Sequence, residues 1–307
     1  MSEAAIIFEK VRAPMLGGDR HLEMDLRITP GACVVCIGPS RAGKSLLVEL
    51  AAGLVVPEAG RVFVLGQDWT EVPDDDPRSV RLKVGVVLQQ PGLLSNMTLF
   101  NNVLLPLRYH RGAMPDRQRE QAVMGHMEQL GLASLRDRFP AELNQGEARR
   151  GAIARALILE PDVLLLDDPV AGLDADMVLG LKTYLDERRA RRPLTILAAL
   201  RAWSPLVEAA DRVVVLREGH VDADGTRDAV RDNHGGIGRA RERGRDLPGA
   251  RAARHAAPQA QCALRLRAFG VAQHLHERNA VARDAGDRHA QAARHPDQNE
   301  IVRAGCP

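Results

Sequence analysis
The sequence predicts an α/β protein with a mostly parallel sheet, an antiparallel β lobe and an inserted α-helical subdomain. Three observations carry this reading. Aliphatic runs at 33–37, 84–88, 163–166, 195–199 and 213–216 have the continuous apolar character of strands buried on both faces. Helical spacing falls between the later runs, as right-handed β-α-β units require. The block from 99 to 159 has helical spacing and no strand signal, so it is expected as a separate lobe.

Taken in order, residues 6–11 and 23–28 alternate apolar and polar side chains, which suits two strands of the antiparallel lobe. The run 33–37 enters a glycine-rich turn and then a helical pattern that Gly53 and the turn at 57–60 bring to an end. Residues 61–65 are strand-like, 73–77 form a loop, and 84–88 is a second buried strand ending at Gln89-Gln90-Pro91. Helices are expected near 101–107, 116–130 and 147–159, with Gly131 stopping the middle one. A strand at 163–166, a helix at 175–189, a strand at 195–199, a short helix near Leu206 and a strand at 213–216 complete a unit of residues 1–225. Beyond it, residues 226–307 are rich in Arg and Ala, with Phe269 their one aromatic residue. Such a segment buries too little apolar surface to offset its ordering entropy, and it is expected as a disordered tail or an out-of-frame reading.

Composition narrows the function. A chain of 307 residues with 3% aromatic content must fill its core with Leu, Val, Ile and Ala. The net charge of +2 calls for no nucleic-acid partner, and the arginine-rich tail offers only Phe269 as an aromatic on which bases could stack. No window approaches the roughly 18 apolar residues of a membrane span, and the start at Met1 lacks a basic, then apolar, leader. Cys33 and Cys36 have a C-x-x-C spacing, but residues three apart in a strand point to opposite faces, so both are expected as small buried hydrophobes.

The chemistry begins at the turn after 33–37, which reads Gly38, Pro39, Ser40, Arg41, Ala42, Gly43, Lys44, Ser45. A strand that ends in such a turn and opens a helix points backbone N–H groups into one concavity at the positive end of the helix dipole. Triphosphate oxygens fit there, with Lys44 reaching the β and γ phosphates and the Ser45 hydroxyl on magnesium. The strand at 163–166 delivers a second element, Asp167 and Asp168. The first is expected to hold magnesium, the second to orient or deprotonate an attacking water.

With these motifs in place the chain resembles the ATP-binding subunits of ABC transporters over roughly residues 5–225. Gln89 follows a strand and precedes Leu93-Leu94, Thr98 and Asn101, as in that family's glutamine loop; Asn144, Gln145 and Gly146, followed by Arg150 and Arg155, resemble its signature; Ala171-Gly172-Leu173-Asp174 takes the place of its dimer-contact loop. The resemblance implies a P-loop ATPase core binding ATP and Mg2+, with Ser45, Gln89 and Asp167 around the metal and Asp168, Gln89 and Arg201 in catalysis. It also implies that Gly38 to Ser45 of one subunit and Asn144 to Gly146 of another enclose the nucleotide. Partners would be permease membrane subunits and a second ATP-binding subunit, with the chain cytoplasmic and peripheral on the inner face of the membrane. The stretch 94–110 looks like the lipid and organic-solvent (Mla-type) group, which adds a periplasmic lipid-binding protein.

Departures from the family pattern point to an alternative, a catalytically weakened module that dimerises on ATP with little turnover. Gln145 stands where a glycine is usual. Asp168 stands where glutamate is usual, about 1.5 Å shorter, and a misplacement of about 1 Å costs on the order of 100-fold in rate. Arg201 stands where a histidine is expected, and Arg41 replaces a frequent glycine. The loop from Pro14 to Asp19, which should stack on adenine, offers only Met15 or Leu16.

Overall fold
A computed structural model describes residues 4–16, 19–69 and 80–233. The loop expected at 73–77 and the tail from 234 onward, with Cys262 and Cys306, lie outside the described residues.

Two sheets organise these residues. Strands β1 (Ile6–Pro14), β2 (His21–Ile28), β4 (Ala59–Val64) and β5 (Gln67–Asp68) form an antiparallel sheet in the order β2-β1-β4-β5. Strands β3 (Cys33–Ile37), β6 (Val84–Val87), β7 (Val163–Asp167), β8 (Thr195–Leu200), β9 (Arg212–Arg217) and β10 (His220–Gly225) form the second, in the order β10-β9-β3-β8-β7-β6. All its pairings are parallel except β10 with β9. The expected P-loop ATPase architecture is therefore present.

The two-residue period of each strand divides its side chains between two layers. On one face Cys33, Val35, Ile37, Leu164, Leu166, Ile196 and Ala198 join a core shared with α2 (Leu99–His110), α3 (Asp116–Gln129), α4 (Gln145–Leu157) and α5 (Ala175–Arg191). On the other, Val34, Cys36, Leu165, Leu197 and Ala199 meet Leu47 and Leu50 of α1 (Lys44–Ala51) and Ile6, Phe8 and Leu26 of the antiparallel lobe. Cys33 and Cys36 fall in different layers, as their spacing predicts, and burial pushes both thiols up to about 12.

Local sequence fixes the helical lobe. Thr98 caps α2, and the fully buried Asn102 ties down the preceding turn by accepting from Leu94 N (2.7 Å) and donating to the carbonyls of Leu94, Met97 and Thr98. Gly131, at φ 65°, follows α3, and Asp174 caps α5 through Met177 N at 2.8 Å. Arg189 of α5 reaches Gly31 O and Asp211 Oδ2, and the same carboxylate accepts from Cys33 N, so one ion pair aligns the starts of β3 and β9.

Three features differ from the sequence reading. The segment 84–88 is an edge strand, with Val84 and Val86 only half-buried, because no strand pairs beyond it and these two valines pack at the margin of the second core. Strand β10 carries the polar sequence His-Val-Asp-Ala-Asp-Gly and is held by its hairpin to β9 rather than by hydrophobic alternation. Folded structure also continues past 225: α6 (Arg227–Asn233) follows β10 and buries Val230.

Helices α3 and α5 meet at a buried polar joint, where His126 Nδ1 and the Tyr184 hydroxyl share a hydrogen bond of 2.5 Å. Burial, helped by the nearby Arg188 charge, pushes His126 down to about 4. Between pH 6.5 and 4 the unfolded chain therefore binds a proton that the folded chain excludes, so stability rises with pH across that window. Acidification from pH 7 to 5 is expected to remove about 2 kcal/mol through this residue alone. Urea unfolding of the protein and of His126→Gln at both pH values checks this; the variant should lose that part of the pH dependence.

Candidate nucleotide site
The carboxyl ends of β3, β6, β7 and β8 lie side by side, and each hands a chemical group to the same edge of the sheet. This is where ligands bind in open α/β sheets. The turn from Gly38 to Gly43 leaves β3 and opens α1. It is shaped by backbone constraints: a Cβ on Gly38 would lie 2.2 Å from Leu216 O, and Gly43 has φ 100° against the Leu22 side chain. Arg41 also occupies the left-handed region, at φ 64°, a conformation usually left to glycine. It points its functional group away from the core, being exposed.

Lys44 is buried (8% exposed) and donates from Nζ to Gly38 O at 2.9 Å and Pro39 O at 2.7 Å. Burial pulls its ammonium below the usual lysine range, while Cys36, Asp167 and Asp168 act in the other direction. Ser45, the next residue, donates its hydroxyl to the Asp167 carboxylate, which is itself buried at the end of β7. Burial raises the Asp167 carboxyl above its ordinary value, the Ser45 hydrogen bond lowers it, and Asp168 raises it further. A cation, a hydroxyl and a carboxylate thus converge on one glycine-shaped concavity. The oxygen donors Ser45 and Asp167 are the hard ligands that Mg2+ prefers, so the residues present fit that ion.

Asp168 follows at φ 53° with its N–H bonded to Ala199 O at 2.9 Å, and its side chain is 8% exposed. Pairing of Asp167 with Ala199 brings β8 alongside, and two residues later Arg201 places Nε 2.5 Å from Asp168 Oδ2. The arginine side chain is 60% exposed, so the pair lies at the rim of the site. Arg201 thus faces the carboxylate expected to act on water. Gln89 follows β6 and is exposed.

Asn144, Gln145 and Gly146 sit apart from this turn, at the start of α4. Asn144 caps the helix, accepting from Glu147 N at 2.9 Å, while Glu147 accepts from Asn144 N at 2.8 Å. Gly146 is buried against the 171–174 loop: a Cβ there would lie 2.5 Å from Gly172 O. Gln145 is exposed beside Gly172. Of the two residues expected near a base, Met15 is buried, its sulfur packed toward Gly43 and Gly219, and Leu16 is 78% exposed.

One residue of the site was missed from sequence. Arg149 is 1% exposed and donates to Leu88 O, Gln89 O and Asp167 O. The available signal was its position: 149, 153 and 157 fall on one helix face, where a charge interrupts an apolar stripe.

Residues 22–171 match the family model described as ABC transporter. Among curated proteins the chain is 38% identical over 203 residues to the methionine import ATP-binding protein MetN 1 of Rhodopseudomonas palustris, covering 66% of this chain and 54% of that one. It is 34% identical over 221 residues to the Fe(3+) ions import ATP-binding protein FbpC of Agrobacterium fabrum, covering 72% and 61%. The chain thus spans little more than half the length of these relatives. Among solved structures, the dimeric ABC transporter cassette MJ0796 superposes with a TM-score of 0.66 at 26% identity, covering 72% of this chain and 98% of that one. The same cassette bound to ADP and Pi gives 0.65 at 25% identity, with the same coverage.

The buried ammonium sets up a separable test. In Lys44→Met, loss of two hydrogen bonds is offset by relief of burying the charge, so stability without nucleotide is expected within about 1 kcal/mol of the unaltered chain. Saturation at about 100 times Kd should stabilise the unaltered chain by about 2.7 kcal/mol, and the variant should lose that gain. Thermal melts with and without Mg-ATP measure both.

Proposed function
We propose that this chain carries an ATP-binding cassette of the ABC transporter family, binds Mg-ATP, and couples ATP binding and hydrolysis to transport through separate membrane subunits. The observation that carries this reading is the convergence of Lys44, Ser45 and Asp167 on the turn from Gly38 to Gly43. Backbone N–H groups of that turn and the start of α1 receive the phosphates, and Lys44 exchanges its two carbonyl partners for phosphate oxygens. Ser45, Asp167 and Gln89 hold the metal. Magnesium, when bound, neutralises charge developing on the phosphate oxygens. Asp168 takes the proton of the attacking water at its carboxylate, and Arg201 sets the orientation of that carboxylate.

The nucleotide is expected to lie between two copies of the chain, with Asn144, Gln145 and Gly146 of the second copy closing over it. The solved dimeric cassettes support the pairing of two copies. The start of α4 supports it physically: the cap takes up Glu147 N, and the N–H groups of Gln145 and Gly146, which have no partner within the helix, remain for an anion. Permease subunits are the membrane partners of this reading, and the chain works at the inner face of the membrane. No helix among the described residues is long and apolar enough to cross a membrane. The transported molecule is proposed to be a lipid or organic solvent, with a periplasmic lipid-binding protein as a further partner, on the pattern of 94–110 alone; methionine and Fe(3+) import proteins also stand among the relatives.

A second reading, an ATP-closed dimer with little turnover, rests on the ion pair of Asp168 with Arg201. A carboxylate already engaged by a guanidinium must leave it before it can act on water. The two readings separate on ATP turnover by the chain together with its membrane subunits. Hydrolysis predicts that Asp168→Asn lowers kcat about 100-fold or more while Mg-ATP still binds. Rates within twofold of each other would instead establish the low-turnover module.

A further inference from the structure
Arg149 is the largest of the fully buried side chains among the described residues, and the Mg-ATP reading leaves its placement unused. It projects from the second turn of α4, the helix that begins at Asn144 and Gly146, and it is 1% exposed. Among the described residues no carboxylate lies within ion-pair distance of it. Its guanidinium spends its donors on main-chain carbonyls: Nη2 to Gln89 O at 2.6 Å, Nη1 to Asp167 O at 3.3 Å and to Leu88 O at 3.4 Å. Nε has no partner. Burial lowers its pKa, while the carboxylates of Asp168 and Asp167 support the charged form.

A buried cation without an ion pair is expensive, and an apolar side chain of similar volume would fill the same space at lower cost. What an apolar residue could not do is join three carbonyls on two strands. Leu88 and Gln89 are the residues that leave β6, and Asp167 is the last residue of β7. A planar fork of donors holds these two strand ends at fixed separation, as a point charge on a flexible stem would not. The two strand ends carry Gln89 and Asp167, two of the three side chains assigned to the metal.

We propose that Arg149 is a positioning residue for magnesium: by bonding the carbonyls of Leu88, Gln89 and Asp167, it sets the distance between the Gln89 and Asp167 side chains and ties that distance to helix α4. The proposal rests on the Mg-ATP reading of the site. Its role is that of the outer groups that orient metal ligands, whose loss raises the metal requirement rather than removing the site.

The test uses the full chain with Arg149→Met, which keeps volume and removes every donor, and Arg149→Gln, which keeps an amide donor. Binding of a fluorescent ATP analogue is titrated with Mg2+, and amide hydrogen exchange is followed in parallel. In Arg149→Met the half-saturating Mg2+ concentration is expected to rise about tenfold, with binding in excess Mg2+ retained and exchange faster at 88–98 and 167–171 but unchanged at 6–14. Arg149→Gln should fall between. A Mg2+ requirement within twofold of the unaltered chain in both variants would overturn the role of Arg149, even if both melt at lower temperature. Lack of Mg2+-dependent binding in the unaltered chain would instead overturn the Mg-ATP reading itself.

Discussion
Parallel pairing of β7 with β8 sets Val163 opposite Thr195 and Asp167 opposite Ala199, and pairing of β3 with β8 sets Ile37 opposite Leu200. Every chemical group in the site depends on that register. Because neighbouring strands run the same way, their last residues emerge at one edge, and short excursions beyond it bring Lys44, Asp167, Asp168 and Arg201 together. A slip of one residue would turn Asp167 into the apolar layer and expose Leu166. The register is held by apolar side chains on both faces, none of which takes part in chemistry.

Much of this was legible in the amino-acid sequence because the signals are local. The turn from Gly38 to Ser45 announces itself by spacing, and the five parallel strands by unbroken aliphatic runs that only a doubly covered sheet requires. What could not be read is long-range or without pattern. The Asp168–Arg201 ion pair joins residues on different strands. Arg149 looks like its neighbour Arg150, and only the fold shows that one is buried among carbonyls while the other reaches Leu130 O at the lobe surface. Strand β10 has no hydrophobic alternation because its order comes from a hairpin partner, and the helix at 227–233 is placed by one buried valine.

The charges around the site form a connected set. Lys44 and Arg149 are buried cations, Asp167 and Asp168 buried anions, and Arg201 closes the rim. Lys44 and Arg149 bond carbonyl oxygens rather than carboxylates, whereas Arg201 pairs with Asp168. Such an arrangement gives up stability for readiness, since a buried charge held by dipoles alone is less favourable than one neutralised outright. The strained backbone at Arg41 and Asp168 belongs to the same pattern of local cost at a functional edge.

In the Mg-ATP reading proposed above, the aliphatic surface at Leu16 would bear on nucleotide choice. Met15 is committed to packing against Gly43 and Gly219, which leaves a branched alkyl side chain, 78% exposed, as what the loop offers to a base. An alkyl group presents no π face and no hydrogen-bonding edge, so it contacts adenine and guanine with nearly equal energy. A cassette that grips its ligand from the phosphate end would respond to the total pool of purine triphosphates in its surroundings, and its selectivity for adenine would then come from relative abundance instead of recognition.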